Sequence, residues 1–337
     1  MTEPDSRRIA GDGEMGAGDV GERPKVTIVT PVFNGERYLR ENLDASTGQT
    51  ETALEVVVAD DCSTDSTPDI LDEYSLRFPG RLRHLRMPRN SGPARATNAA
   101  ILAARGQWIA YISADDLLDR EFAARHLREA AAHPGTRFTF SDFHQIDASG
   151  KVIRDVTFGQ FRDRADLLLS TVRTDTPSLC SALIHREVLE TVGIFDPESF
   201  SYDTDLLARA FLKYHPLHVP GCLASYRVHG GQGSRAIYRG VQGRAMVMAR
   251  MARDFPPAIW VRGWVGWYLR LLRNTPWMLR VGKFQGAGEA MLYPLREVAA
   301  LVRAAGSPGR DSRPPRLGPA PLPLEEAIQV SLTGRGD

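Results

Sequence analysis

The first half of the chain alternates short apolar runs with longer amphipathic segments. Three runs rich in β-branched and aromatic residues predict buried strands, at Val26–Val32, Leu54–Ala59 and Trp108–Ile112, and a weaker run predicts another at Arg81–Arg86. The segments between them predict helices at Glu36–Leu43, Ser66–Phe78 and Pro93–Arg105. Because such alternation is typical of βαβ units, we expect an α/β fold with a mostly parallel sheet flanked by helices.

The pattern continues less regularly through the second half. Strands are predicted at Arg137–Asp142, Leu179–Ile184, Leu217–Val219 and Leu223–Val228, and a hairpin turn at Asp147–Gly150. Helices are predicted at Asp119–Ala132, Asp163–Ser170, Arg186–Val192 and Asp203–Leu212. Outside this region, residues 1–24 are Gly-rich and polar and are expected to be disordered, residues 236–305 have a helical pattern, and residues 306–337 form a Pro-rich tail.

Composition indicates an ordinary globular chain. Of 337 residues, 42% are hydrophobic and 25% charged, and the formal net charge of +1 gives no general attraction to nucleic acid. Three scattered cysteines predict neither a disulfide framework nor a cysteine-based zinc site, and they suit a reducing compartment. The N-terminus lacks the apolar core of a signal peptide, and no apolar run is long enough to span a bilayer. We therefore expect a cytoplasmic protein.

Two adjacent carboxylates, Asp115 and Asp116, directly follow the apolar strand that begins at Trp108. Unpaired acids are costly to bury, and ligands of open α/β sheets bind at the carboxyl ends of strands. One or two carboxylates with substrate phosphates are the usual ligands of Mg²⁺. The alternative is an Asp-rich turn that caps the following helix.

Polar or Pro-containing loops also follow the first two strands. They are PVFN after the first strand and DDCS after the second, and SADD follows the strand from Trp108. Since parallel strands end at the same edge of a sheet, we expect these three loops to converge on one cleft.

Five blocks of the sequence together resemble glycosyltransferase family 2. In chain order they are VTIVTPVFNGERYLRENLDA, EVVVADDCSTDST, NSGPARATNAAILAARGQWIAYISADD, GIFDPESFSYDTDLLAR and YRVHGGQGS, and they extend from about Lys25 to Ser234. The resemblance implies a Rossmann-like GT-A catalytic domain over residues 25–235, with a C-terminal helical extension. It also implies sugar transfer with inversion from a nucleoside-diphosphate sugar, UDP-linked by our interpretation, that is held through Mn²⁺ or Mg²⁺.

The resemblance assigns donor-binding roles to the first two loops. Asp61 would accept the imide N–H of uracil, and the loop around Pro31, Val32 and Phe33 would pack on the base. The alternatives for DDCSTDST are a helix N-cap or a cation loop. As a calcium EF-hand loop it is a near miss, because Ser66 stands where glycine is required.

The third loop would hold the metal and the ribose. By the family pattern Asp116 is a metal ligand and Asp115 contacts ribose or metal. Many relatives have a further Asp where this chain has Ser113. Arg95 lies in the segment that often supplies an arginine to this site, although relatives place it at the position of Thr97, and Arg95 could equally be a surface residue.

Two residues of the second half complete the implied site. Asp203 is the candidate general base, which takes a proton from the acceptor hydroxyl as that oxygen attacks the anomeric carbon. Relatives commonly read Glu-Asp here, whereas this chain has Tyr202 before Asp203; the alternative is that Asp203 and Asp205 only cap a helix. His229 matches a histidine near the diphosphate and would bind metal or phosphate, and the alternative is a structural histidine.

Ile259–Arg273 is predicted as a two-faced helix with tryptophans on one face and arginines on the other. It would either lie at a membrane interface, which suits a lipid-linked acceptor, or pack its tryptophan face on the catalytic domain. Expected partners are therefore a nucleotide sugar and a saccharide or lipid-linked acceptor of the cell envelope, with no nucleic acid.

Two other functions are weighed against glycosyl transfer. A sugar-1-phosphate nucleotidyltransferase would need a Gly-rich basic loop after the first strand, which PVFNGER does not supply. A sugar-nucleotide-binding protein that has lost catalysis is compatible with Ser113 and Tyr202.

Overall fold

The computed structural model describes residues 23–173, 177–199 and 201–230, together with isolated positions between 256 and 269 and residue 326. The strands of this part of the chain are β1 (Val26–Val32), β2 (Leu54–Asp60), β3 (Leu82–Arg86), β4 (Trp108–Tyr111), β5 (Leu117–Leu118), β6 (Phe138–Ile146), β7 (Val152–Val156), β8 (Ala182–His185) and β9 (Leu217–Arg227). The helices are α1 (Leu39–Thr47), α2 (Thr67–Arg77), α3 (Pro93–Ala103), α4 (Phe122–Ala132), α5 (Arg164–Arg173), α6 (Arg186–Val192) and α7 (Tyr202–Phe211).

All the described strands belong to one mixed sheet, in the order β3-β2-β1-β4-β8-β6-β9-β5, with β7 paired to β6. The first four strands of this order are parallel. Beyond them β8 runs antiparallel to both β4 and β6, and β9 runs parallel to β6. The predicted α/β fold with a mixed, mostly parallel sheet is confirmed for the first half, and the second half accounts for the mixed character.

Helices cover the sheet on both faces because alternate residues of its central strands point to opposite sides. On β1, Val29 joins a cluster that includes buried residues of α3, α5, α6 and α7. Its neighbour Ile28 joins the opposite cluster, with buried residues of α1, α2 and α4. Every residue of β1 and β2 is buried, as expected for parallel strands covered on both sides.

The prediction of two strands at Leu217–Val219 and Leu223–Val228 is wrong, because β9 is continuous. Its pairing with β6 shifts register on both sides of Asp142, so a bulge accommodates the residues between the two predicted strands. Gly221 lies in this bulge with φ of +99°, a conformation that a residue with a side chain rarely adopts.

Several other element boundaries differ from the predictions. Residues Leu179–Ser181 form a 3₁₀ turn instead of a strand, and only Ala182–His185 pairs in the sheet. Helix α1 begins at Leu39 and not at Glu36, because the preceding residues contribute to a loop–loop contact described below. Strand β7, which the sequence did not indicate, completes the hairpin at Asp147–Gly150.

Most of the predicted N-terminal segment, the helical region 236–305 and the Pro-rich tail lie outside the described residues. So do the tryptophans of Ile259–Arg273, although Ile259 itself packs against the cluster that contains Val29. Among the helices that the structure describes, none combines the length and the apolarity that crossing a bilayer requires.

Candidate active site

The loops after β1 and β2 are joined by several hydrogen bonds. The Asn34 N–H donates to Ser63 Oγ (2.9 Å), and the Thr64 N–H donates to Asn34 Oδ1 (2.8 Å). The Gly35 N–H donates to Thr67 Oγ1 (2.9 Å) at the start of α2. The residues of the DDCSTDST block therefore hold one loop against the other, besides any contact with a ligand.

Left-handed backbone at two non-glycine residues shapes these loops. Asn34 has φ of +50° and Cys62 has φ of +65°. Asparagine tolerates this region, whereas a cysteine there is uncommon and costs of the order of 1 kcal/mol. Such strain persists only where surrounding contacts fix the backbone, and Cys62 lies between Asp61 and the anchored Ser63.

The predicted base-binding residues Pro31, Val32 and Phe33 differ in burial. Pro31 and Val32 are buried residues of β1, so only their backbone can face a ligand. Phe33 follows them with 47% of its surface exposed, which is unusual for a large apolar side chain. Of the three, Phe33 alone has an exposed aromatic ring.

Asp61 lies between the ends of β2 and α3. Its two carboxylate oxygens accept the N–H groups of Ser91 (2.7 Å) and Gly92 (2.8 Å), just before α3. Burial raises the pKa of Asp61, although these two hydrogen bonds oppose the shift. Each oxygen has a second lone pair, so the carboxylate can still accept an N–H from a ligand.

Asp116 is almost fully buried, and its Oδ1 accepts the Arg227 N–H (2.8 Å) from the end of β9. Burial, followed by the charge of Asp115, raises its pKa well above the ordinary value, and Arg227 opposes that shift. Asp115 is more exposed, and its Oδ2 lies 2.9 Å from His229 Nε2. The structure thus brings Asp115, Asp116 and His229 together, as the resemblance implied.

Arg227 is a residue of this site that the sequence did not single out. Its side chain is fully buried; the guanidinium donates to the Asp115 carbonyl (2.8 Å) and pairs with Glu41 (2.7 Å). It lies 4.5 Å from the ring centre of Tyr38, and the Tyr38 ring also lies 5.0 Å from the His229 ring. Nothing but its place in YRVHGGQGS could have pointed to this role, since strand-end arginines are usually exposed.

Asn42 on α1 fixes the same loop from the other side. Its Nδ2 donates to the carbonyls of Ser113 (3.0 Å) and Asp116 (2.9 Å). The backbone of the two carboxylates is therefore held from α1 and from β9 at once. Such a fixed backbone is what a binding site needs in order to hold its ligands in position.

The candidate base lies at the start of α7 and is exposed. Asp203 Oδ1 accepts the Thr204 N–H (2.7 Å), which leaves the other oxygen outside that bond. Burial, and after it the Asp203 carboxylate, raises the pKa of Tyr202 to about 12, and the Asp115 carboxylate adds to the shift. Tyr202 therefore lies within electrostatic reach of both carboxylates, so α7 faces the same site as the loop after β4.

Two of the departures from the family pattern, Ser113 and Tyr202, are connected. The Ser113 hydroxyl lies 3.2 Å from the Tyr111 hydroxyl, and Tyr111 in turn shares a hydrogen bond with Tyr202. A chain of neutral hydroxyl groups thus joins the loop after β4 to α7. Ser113 and Tyr202 occupy positions at which relatives commonly have acidic residues.

Helix α3 positions the segment before α7. Asn98 is buried and makes two hydrogen bonds to the backbone of Phe195, one from its Nδ2 (2.8 Å) and one to its Oδ1 (3.0 Å). Arg95, one turn earlier, pairs with Glu198 (3.2 Å) and is 28% exposed. Asp205 pairs with Arg209 (2.9 Å) and is nearly fully buried, a structural role distinct from that of exposed Asp203.

A divalent cation fits the group formed by Asp115 and His229. A carboxylate oxygen and an imidazole nitrogen 2.9 Å apart can both turn to one ion, and two adjacent carboxylates carry a repulsion that a cation would relieve. An imidazole ligand suits Mn²⁺ better than Mg²⁺, which prefers oxygen. Asp116 has one oxygen engaged by Arg227 and is the less accessible carboxylate.

Comparisons with known proteins agree with this architecture. The profile of "Glycosyl transferase family 2" matches residues 27–193. An uncharacterized protein of Mycobacterium tuberculosis is 30% identical over 217 residues, which cover 60% of this chain and 59% of that protein. The succinoglycan biosynthesis protein ExoO of Rhizobium meliloti is 34% identical over 131 residues, which cover 39% of this chain and 36% of that protein. The chain thus spans less than two thirds of these relatives.

Solved structures show the fold. The S. aureus TarS fragment 1–349 in complex with UDP-GlcNAc has a TM-score of 0.60 at 19% identity and covers 83% of this chain and 91% of that chain. A mannosyltransferase of Pyrobaculum calidifontis in complex with GDP-Man and Mn²⁺ has a TM-score of 0.57 at 23% identity, covering 87% and 83%. The fold is therefore GT-A, and residues 27–193 of the chain match glycosyltransferase family 2.

Proposed function

We propose that this protein transfers a sugar, with inversion, from a nucleoside-diphosphate sugar to a hydroxyl group of a cell-envelope glycan or a lipid-linked saccharide. The observation that carries the proposal is the meeting of Asp115 and His229 (2.9 Å) beside the loops of β1 and β2 and the start of α7. Named relatives support an envelope acceptor, among them the proteins for succinoglycan, teichuronic acid and poly(ribitol-phosphate).

The donor base would lie against the loops after β1 and β2. Phe33 offers an exposed ring for stacking, and Asp61 offers a carboxylate oxygen for an imide N–H. A uracil base has that N–H, so we favour a UDP-linked donor. The complex of TarS with UDP-GlcNAc is consistent with this choice, whereas the mannosyltransferase complex contains GDP-Man.

Asp115 and His229 would hold Mn²⁺ or Mg²⁺ at the donor diphosphate, with Asp116 beside them. The ion, when bound, neutralises the charge that develops on the departing diphosphate. Arg227 and Asn42 keep the carboxylates at a fixed spacing, and Arg95 at the start of α3 is a candidate for a phosphate contact.

Asp203 would act as the general base. The acceptor oxygen forms a bond to the anomeric carbon while the bond from that carbon to the diphosphate oxygen breaks, and the hydroxyl proton passes to Asp203. The Tyr202 hydroxyl, whose pKa of about 12 keeps it protonated, can donate a hydrogen bond beside it.

The proposal is tested by following nucleoside-diphosphate release from a panel of nucleotide sugars with Mn²⁺. We expect turnover by the wild type, and a loss of roughly 10²–10⁴-fold in kcat for Asp203→Asn with donor affinity retained. Asp69→Asn is the matched control, because Asp69 is an exposed acid in the first turn of α2. Donor binding without turnover in the wild type would instead support a binding protein that has lost catalysis.

Location at the inner face of a membrane is part of the same proposal, through contact by Ile259–Arg273. Basic and tryptophan-rich helices bind anionic interfaces. Flotation of the full chain with liposomes, with and without anionic lipid, tests the contact directly, and a protein that stays at the bottom of both gradients contradicts it.

A further inference from the structure

Three side chains that are common ligands of transition metals lie together outside the donor site. One ring nitrogen of His144, one carboxylate oxygen of Asp155 and the Sγ of Cys222 are all within 4.8 Å of one another. They come from β6, β7 and β9, which are neighbours in the sheet. Sheet pairing therefore fixes the backbones of all three.

Two of the three are already paired. His144 stands directly opposite Asp155 in the β6–β7 register, and its Nδ1 lies 2.7 Å from Asp155 Oδ1. The side chains are 36% and 55% exposed, so each can turn by the small amount that a shared ion requires. A cross-strand ion pair alone explains these two residues, but it does not explain the cysteine beside them.

Cys222 reaches this position because of the bulge in β9. The bulge is held by Asp142, whose carboxylate accepts hydrogen bonds from Phe158 N–H (2.7 Å) and Gly221 N–H (3.1 Å) and pairs with His218 Nε2 (2.9 Å). Bulges commonly turn a side chain toward a site that a regular strand would not reach. The backbone next to the thiol is thus fixed by a fully engaged carboxylate.

We propose that His144, Asp155 and Cys222 bind Zn²⁺, with the fourth position of a tetrahedral site open to solvent. Thiolate, imidazole and carboxylate are the ligands that Zn²⁺ takes in proteins, and three protein ligands leave one position for water. The thiol gives up its proton when the ion binds. These three ligands differ from the oxygen-rich ligands of the metal proposed at the nucleotide-sugar site, so the two sites select different metals.

A reactive thiol is the rival explanation of the same cluster. Nucleophilic cysteines have a lowered pKa, through a nearby cation or a helix N-terminus. Burial raises the pKa of the Cys222 thiol, and the Asp155 and Asp142 carboxylates add to that effect. These neighbours oppose the thiolate form that a nucleophilic cysteine requires.

The ion would join β7 to β9. In the described sheet β7 pairs with β6 and lies off the main strand order, and its residues are largely exposed. A metal shared by the three strands closes the hairpin onto the rest of the sheet. Zinc should therefore slow amide hydrogen exchange in β7 more than in β1.

The test uses the full chain, stripped of metal and titrated with Co²⁺ and then Zn²⁺. We expect about one equivalent of Co²⁺ to give a thiolate-to-metal charge-transfer band, which Zn²⁺ abolishes. Cys222→Ser should lose the band, and His144→Gln should weaken Zn²⁺ binding at least about 10-fold. Cys62→Ser, which removes another partly exposed thiol, should keep the band.

Asp115→Asn separates this site from the donor site, since it should keep the band unchanged. Circular dichroism and urea unfolding establish that the Cys222 variant is folded. A wild type without the band, or a band that survives in folded Cys222→Ser, would overturn the proposal. Failure of glycosyl transfer would leave these readouts unaffected.

Discussion

The two halves of the sheet contribute differently to the candidate site. In the parallel half, short loops after β1, β2 and β4 lie at one edge because their strands end there. In the mixed half, the functional residues arrive from distant parts of the chain: Arg227 and His229 from the end of β9, and Asp203 from α7. The first half therefore arranges donor contacts through local sequence, and the second half depends on long-range pairing.

Because of this difference, substitutions in the two halves should have different effects. Changes in the loops of the parallel half should mainly alter donor affinity. Changes in α7 and at the end of β9 should alter turnover or the stability of the loop after β4. Asp115 lies at the junction, since it belongs to the first half and contacts His229 of the second.

The largest effect is expected at that junction. Asp115→Asn removes the charge that would bind the metal, and a bound metal contributes several kcal/mol to catalysis. We expect kcat/KM to fall at least roughly 100-fold, with partial recovery at high Mn²⁺. Nucleoside-diphosphate release measured across a Mn²⁺ series checks this. Wild-type activity in the variant would contradict the role of Asp115 as the residue that the two halves share.

The next largest effect is expected at Arg227, at the end of β9. Arg227→Lys cannot keep the contacts to the Asp115 carbonyl, Glu41 and Tyr38 together, and losing a hydrogen bond of a fully buried charged group costs roughly 1.5–3 kcal/mol. We expect that loss in the free energy of unfolding, measured in urea. Arg162→Lys is the control: its side chain is 83% exposed, so its change should stay within about 0.5 kcal/mol. Equal losses would contradict a special role for Arg227.

The parallel half is tested by Phe33→Ala. Stacking of a base on an aromatic ring contributes about 1–3 kcal/mol, so the donor KM should rise roughly 5- to 100-fold with kcat nearly unchanged. Thermal stability should not change, because the ring is exposed. Leu76→Ala, which removes an apolar side chain that is 84% exposed, should leave KM as it is. A fall in kcat without a rise in KM would contradict the assignment of donor affinity to the parallel half.

The smallest effect concerns stability and pH. The pKa of Asp116 is raised in the folded state, so wild-type stability falls as pH rises from the unfolded value, about 3.9, through the folded value. Asp116→Asn lacks this loss. Without metal it should be more stable than the wild type by roughly 1 kcal/mol at pH 7, and the gain should vanish in acid. Urea unfolding at several pH values measures it, and a gain that grows toward low pH would have the wrong sign.

Sequence predicted the local part of the architecture and missed the rest for identifiable reasons. Strands such as Val26–Val32 are fixed by continuous apolar runs, and the loops that follow them could be placed from topology alone. The predicted strand is interrupted at Pro220 and Gly221, because nothing local shows that β6 pairs with this segment through a bulge. Burial of Arg227 depends on α1 and the loop after β4, which are far away in sequence.

The candidate site follows the same division. The resemblance assigns Asp116 and His229 to one metal site, whereas in the structure it is the adjacent Asp115 that lies 2.9 Å from His229. The resemblance could not indicate that Pro31 and Val32 turn their side chains inward, since burial depends on packing. Nor could it show that Ser113 and Tyr202 are joined through Tyr111, a contact between two separate elements.

The left-handed cysteine in the β2 loop has a practical consequence. Cys62 is partly exposed and stands between Asp61 and Ser63, where a donor base is expected. A nucleotide analogue that carries a mild electrophile could therefore form a covalent adduct at this position, and an excess of the true donor would protect the thiol. The strained backbone thus offers a chemical handle for identifying the nucleotide of the proposed donor.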